Sequence, residues 1–234
     1  MHDVTDKEVV LGVMGNKALD LLTEVSKDNW SDFPFATRKS VTIAGVDCSA
    51  TRLSYIGEFG WELNIPVQSA HQVFDAIAER GARPLGQHAL NSCRIEKRFL
   101  HWGHDIGPDI TPIEAGLTRG IDWNKEFAGK QSLVVQRESG AGKRLLLFHV
   151  QGEPLLLHDE PIRLNDRVVG LTTSGTVGVR TGLSLAIGLI EVSKDQTDQD
   201  ISSYKFEIEV AGLRYPATAL TKAAHDPDNQ YIRR

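Results

Sequence analysis

The chain has 234 residues, 41% hydrophobic and 24% charged, enough apolar material for a packed core and too much for a disordered tail. A formal net charge of -5 and an isoelectric point near 5.9 exclude a protein that coats nucleic acid, though not a local basic pocket for a small anion. No apolar run approaches about 18 residues, so no membrane span is expected, and MHDVTDKEVV lacks the basic start and apolar stretch of a secretory signal.

The β-branched run Lys7 to Val13 reads as a strand, followed by a turn at Gly15-Asn16 and an amphipathic helix over Lys17 to Val25. Ser40 to Val46 and Cys48 to Tyr55 read as a hairpin turning at Gly45-Val46-Asp47. A glycine-bounded turn, Ile56 to Gly60, leads into a strand over Trp61 to Ile65, which Pro66 stops. Ser69 to Arg80 is a helix with Ala70, Val73, Phe74, Ile77 and Ala78 on one face, and Ser69 with Gln72 fits a capping box. A second helix runs from about Gln87 to Lys97, and a loop-rich stretch spans Phe99 to Gly129.

Composition changes at Glu138-Ser139-Gly140-Ala141-Gly142, which divides an α+β domain, 1–138, from a second domain, 139–234. Beyond that point the chain reads as strands only, six of them in about ninety residues, which suggests a small β-barrel or sandwich. The fold class is therefore α+β with an antiparallel sheet, followed by an all-β unit.

Several motifs carry little. Gly140-Ala141-Gly142-Lys143 lacks the first glycine and the hydroxyl residue of a phosphate loop, and Gly12-x-x-Gly15 lacks the third glycine of a dinucleotide turn. No flavin or nicotinamide site is expected in this chain. His101-Trp102-Gly103-His104-Asp105 offers two imidazoles and a carboxylate, but no third His or Cys at ligand spacing, and a structural or surface pair of histidines is the simpler reading. Cys48 and Cys93 make no C-x-x-C pair and read as buried thiols in a reducing compartment.

The informative stretch is TRLSYIGEFGWELNI, residues 51–65. Glu58 and Glu62 lie among Tyr55, Phe59 and Trp61, and Gly57 and Gly60 allow close backbone approach to a flat ligand. A ring beside a carboxylate suits a planar heterocycle with adjacent N–H donors, such as a pterin or guanine edge. The same pattern also suits a surface hairpin with solvated glutamates and a half-buried Trp.

YIGEFGWEL resembles the Y-x-G-E-x-G-[YFW]-E segment of the glycine-cleavage T-protein family, the tetrahydrofolate-dependent aminomethyltransferases. The resemblance continues in order through GQHALNSCRIEK from Gly86, TPIEAGL from Thr111, KEFAGK from Lys125, the stretch GEPLLLHDEPIRLNDRVVGLTTSG and the ending HDPDNQYIRR. Ala89-Leu90-Asn91 and Arg94-Ile95-Glu96-Lys97 resemble most the folate domain of dimethylglycine and sarcosine dehydrogenases. That resemblance implies a domain that transfers a one-carbon unit from an N-methyl amine or aminomethyl donor to tetrahydrofolate. The oxidation would lie on a flavoprotein domain or subunit, in the cytoplasm or, in a eukaryote, the mitochondrial matrix.

Position by position, the resemblance places pterin contacts at Tyr55 and Glu62, with Glu58 as a further acidic position of the same turn. Arg94 and Arg233 complete the cofactor-binding set it implies, Arg94 with an alternative role in pairing Glu96 or another carboxylate and Arg233 with the alternative of belonging to a surface tail. The family's substrate-contacting Arg falls on Leu90. About a hundred residues that precede the equivalent of Lys7 in the family, with its catalytic Asp, have no counterpart here; Asp3, Asp6 and Asp20 do not match that Asp. No catalytic residue is thus assigned. A non-catalytic folate-binding or scaffold module that partners a flavoprotein is the alternative. An incomplete sheet would expose an edge and apolar surface.

Overall fold

A computed structural model describes residues 2–233, apart from the side chain of Asp198; Arg234, the last residue of the HDPDNQYIRR ending, lies outside them. The chain forms two compact units, one of residues 1–90 with 228–234 and the other of residues 91–227.

The first unit is a four-stranded antiparallel sheet in the order β1-β4-β3-β2, built from β1 (Glu8–Met14), β2 (Arg38–Ile43), β3 (Val46–Thr51) and β4 (Gly60–Pro66). Its helices are α1 (Ala18–Val25) and α2 (Ala70–Glu79). The strands alternate as half-buried strands should. Val13, Trp61, Leu63, Ile65, Ala50, Val41 and Ile43 form the core with Leu22 and Val25 of α1 and Val73 and Ile77 of α2. Trp61 is fully buried and meets Trp30, Phe33 and Phe59 edge-on at centroid distances of 5.0–6.0 Å. The other face of the sheet carries the rows Gly12-Glu62-Thr51-Arg38 and Val10-Asn64-Ser49-Ser40.

Three local expectations change. The β2–β3 hairpin turns at Ala44-Gly45, both at positive φ, rather than at Gly45-Val46-Asp47; two left-handed residues match the twist of the flanking strands. The chain leaves β3 at Thr51, well before Tyr55. Ser69 makes no capping bond, because a 3-10 turn over Val67–Ser69 leads into α2 and leaves Ser69 at ψ 4° instead of extended. Gln72 donates instead to the Ala44 carbonyl, at 2.9 Å.

The second unit contains the end of α3 (Gln87–Glu96), α4 (Lys130–Ser139), α5 (Asp198–Ser202) and six strands: β5 (Lys143–Val150), β6 (Pro161–Leu164), β7 (Arg167–Val177), β8 (Ser184–Glu191), β9 (Phe206–Val210) and β10 (Leu213–Leu220). These strands close into an antiparallel barrel in the order β10-β5-β8-β7-β6-β9. The run Leu145-Leu146-Leu147-Phe148 does not alternate because both sides of β5 are covered. Leu146 and Phe148 join one apolar cluster with Ile162, Phe206 and Ile208, whereas Leu145 and Leu147 pack with Ile95, Leu185 and Ile187 in another.

The segment past residue 142 is not strands only. Thr197 caps α5 in a full capping box with Asp200, and Ile201 enters the barrel cluster. α4 has no fully buried residue and only a weak apolar stripe to betray it.

Candidate functional site

Arg52 organises the turn that follows β3. Its side chain is 2% exposed, and Nη1 donates to the carbonyls of Gly60 (3.2 Å) and Ile232 (3.1 Å). The guanidinium stacks 4.0 Å from the Phe59 ring and 4.9 Å from that of Trp61. Burial pulls its pKa down, yet it stays a cation at any pH the fold tolerates. The turn 53–60 is thereby tied at its far end to the residue that starts it. An Arg directly before an aromatic, glycine-rich turn was the available signal for this residue, and sequence reasoning passed over it.

Gly60 brings the turn onto β1. A Cβ there would sit 2.2 Å from the Val13 carbonyl oxygen, so only glycine allows this approach. Gly15 N–H donates to the Phe59 carbonyl at 2.7 Å and locks the same corner.

Period-two alternation then sends Trp61 into the core and Glu62 to the opposite face. Across the ladder Glu62 faces Gly12, which has no side chain to cover it. Glu62 lines a cavity of about 670 Å³ with Tyr55, Ile56, Gly12 and Met14. Among the described residues no hydrogen bond or ion pair engages its carboxylate. The cavity wall is mostly apolar, with Leu21, Phe74 and Ile77 contributing, and Lys17 and Arg83 add positive charge. Leu90 also lines it.

The structure thus brings together Tyr55 and Glu62 but not the whole expected set. Glu58 is half-buried on the turn, outside the cavity wall. Arg233 lies on the tail, 5.9 Å over the Phe35 ring. Trp61 and Phe59 offer no stacking face there, being committed to the core and to Arg52.

Arg94 lies in the second unit, where it forms an ion pair with Asp105; the two side chains are 3% and 0% exposed. Asp105 also accepts from Ser174 Oγ (2.7 Å), Thr173 Oγ1 (2.6 Å) and the backbone N–H of His101 (2.8 Å). Both carboxylate oxygens of the His-Trp-Gly-His-Asp motif are consumed in this way. The partner of Arg94 is Asp105 and not Glu96. Glu96 is fully buried and accepts from Arg180 Nε (2.7 Å) and from the backbone N–H groups of Arg180 and Thr181. Burial pushes its carboxyl up, but Arg180 and the Thr181 and Arg180 donors outweigh that and hold it below the usual range. Lys97 completes the series on Asp226, at 3.1 Å.

Two family models match the chain: the GCVT N-terminal domain over residues 1–125 and the glycine cleavage T-protein C-terminal barrel domain over residues 143–226. The chain belongs to the glycine cleavage T-protein family. It is 34% identical to the 4-methylaminobutanoate oxidase (formaldehyde-forming) of Paenarthrobacter nicotinovorans, over 100% of this chain and 29% of that protein. Human mitochondrial dimethylglycine dehydrogenase is 34% identical over 94% of the chain and 26% of its own length. An aminomethyltransferase of Listeria monocytogenes serotype 4a is 33% identical over 81% and 52%.

The T-protein fold is matched in the solved glycine cleavage system aminomethyltransferase T from Bartonella henselae, with a TM-score of 0.83 at 22% identity, over 94% of this chain and 60% of that one. The α+β class with a terminal antiparallel barrel is therefore as the sequence led one to expect. The chain spans between about a quarter and a half of the length of these curated relatives. No helix among the described residues is long and apolar enough to cross a membrane.

Proposed function

We propose that this chain is a tetrahydrofolate-binding domain that takes part in transfer of a one-carbon unit from an N-methyl amine or aminomethyl donor, as its dehydrogenase and aminomethyltransferase relatives suggest. The observation that carries the reading is the Glu62 carboxylate, held at the cavity beside Tyr55 with no donor among the described residues engaging it. A carboxylate so placed can accept two hydrogen bonds from the amino-pyrimidine edge of a pterin. Tyr55 supplies a ring at the same wall, and Gly12 leaves the carboxylate uncovered. The cavity is of a size ordinary for a cofactor site. When bound, tetrahydrofolate supplies the two amines that take up the one-carbon unit.

In this reading Glu58 supports the turn at second hand, Arg94 acts through the fold, and Arg233 remains a candidate for the folate carboxylates. The functional division lies at Glu138–Gly142, between the two matched family models, with folate binding in 1–138 and the barrel in 139–234. Amine oxidation belongs to a flavoprotein domain or subunit, and the setting is the cytoplasm or a mitochondrial matrix.

The test is anaerobic calorimetry of the chain with tetrahydrofolate. Saturable binding with a raised melting temperature is expected. Glu62→Gln should keep the fold and weaken binding by about 1.5–3 kcal/mol, the value of a hydrogen bond to a charged group. Unchanged affinity in Glu62→Gln would remove Glu62 from the site, and no binding by the folded chain would reject the reading.

A further inference from the structure

Arg52 is a costly residue for its place. A buried cation gives up its hydration and needs every bond the fold can return. An apolar side chain against Phe59 and Trp61 would fill the same space without that cost. A guanidinium supplies what no apolar group can: a flat face for the rings, together with an amino group that donates to the carbonyls of Gly60 and Ile232.

Those bonds close a turn. Arg52 stands one residue past β3, and Gly60, whose carbonyl it holds, opens β4. Thr51 and Glu62 are ladder partners, so the sheet fixes Glu62 but leaves residues 52–59 outside the ladder. Tyr55 belongs to that stretch. Two latches flank it: Ser54 Oγ donates to Met14 Sδ at 3.6 Å, and Gly15 N–H donates to the Phe59 carbonyl at 2.7 Å. Gly57 turns the chain between them at φ 78°. Arg52 itself is not on the cavity wall. Its guanidinium lies on the core side, against Trp61, whereas Glu62 points to the opposite face. Its route to a ligand is therefore the turn and not a direct contact.

We propose that Arg52 is a positioning residue for the pterin site, closing the turn 53–60 in the form that sets the Tyr55 ring beside Glu62 before the cofactor arrives. The proposal rests on the pterin reading of the cavity. A ring already in place loses little freedom when a flat ligand settles on it. A loose turn must instead be ordered at the moment of binding, and affinity falls accordingly. Glu62 needs no such help, since β1 and β3 hold its strand from both sides. Arg52 and Tyr55 thus act as a unit, and Glu62 acts apart from them.

The experiment is anaerobic calorimetry of the full chain with tetrahydrofolate, well below the melting temperature, on Arg52→Lys alone and combined with Tyr55→Ala or with Glu62→Gln. Lysine keeps the charge and loses the flat face. Arg52→Lys should weaken binding by about tenfold in the parent and again in Glu62→Gln, but add nothing to the loss in Tyr55→Ala. In the chain without folate, it should quicken amide exchange at Gly15, which is bonded to the turn, by about tenfold, while Leu63 at the middle of the sheet stays as in the parent. Phe59→Leu withdraws the stacked ring and leaves Arg52 in place. It should move both readouts the same way by less, and it carries the test if Arg52→Lys does not fold. A merely structural Arg52 would lower the melting temperature and quicken Gly15 and Leu63 alike, with the affinity of the folded chain unchanged. That result, or an equal loss of affinity in the Tyr55→Ala background, would overturn the proposal alone. No saturable binding by the parent would instead reject the pterin reading, and the proposal with it.

Discussion

Asp105→Asn tests whether the His-Trp-Gly-His-Asp motif and Arg94 serve the fold or a ligand. The Asp105 carboxylate receives the Arg94 guanidinium, two hydroxyls and one backbone N–H, with no part of its side chain exposed. An amide at this place keeps one acceptor oxygen and turns an NH2 group toward donors. It also leaves the Arg94 charge buried and uncompensated. Breaking one partner of a buried pair destabilises by about 3–5 kcal/mol, a large part of a total stability of about 5–15 kcal/mol. Urea unfolding of Asp105→Asn should show a loss of that size, and the melting temperature should fall by roughly 10 °C. Arg94→Met combined with Asp105→Leu should destabilise much less than the two single changes added together, since neither charge is then orphaned. Arg94→Met, measured where it remains folded, should bind tetrahydrofolate as the parent does. A loss below about 1 kcal/mol in Asp105→Asn, or additivity in the cycle, would refute the structural assignment.

Three further outcomes are expected. Gly60→Ala would place a methyl 2.2 Å from the Val13 carbonyl oxygen, so β1 and β4 must part there; thermal melts should show destabilisation, and folate affinity should fall with it. Glu96 has its carboxyl held low in the folded state, so its contribution is present above the unfolded pKa and lost as pH falls through the folded one. The stability gap between the parent and Glu96→Gln should accordingly be widest near neutrality and narrow on acidification to about pH 3, followed by urea melts. His101 is pulled down by burial and by the neighbouring charges of His104 and Arg94, against an opposing pull from Asp105; NMR titration should find it protonating at a lower pH than a free imidazole.

The elements that the sequence made legible are those whose burial follows a simple period. β1, α1, β4, α2 and most barrel strands announce themselves by alternation or by an apolar stripe. What stayed hidden lacked such a stripe. α4 has no fully buried residue, and α5 is five residues long, although its Thr197–Asp200 box was readable. The false box at Ser69 shows the converse, since a matching pair of residues does not help when the backbone enters through a 3-10 turn. At the site, Tyr55 and Glu62 were legible because aromatic, glycine and carboxylate share one short stretch. Arg52 and the Arg94–Asp105 pair were less so, because their partners lie on distant segments: Ile232, 180 positions along, and Ser174, 80 positions along.

The last residues of the chain belong to its first unit. Ile232 is 4% exposed, and its carbonyl is one of the acceptors that Arg52 holds. The unit with the candidate folate cavity is therefore discontinuous, with residues 91–227 inserted into it. During synthesis the inserted unit has its full complement of residues before the host unit does. The bond from Arg52 that ties the turn bearing Tyr55 to the Ile232 carbonyl forms only after the whole inserted unit has been made. A cut after residue 227 would thus injure a site whose other residues lie before the insertion.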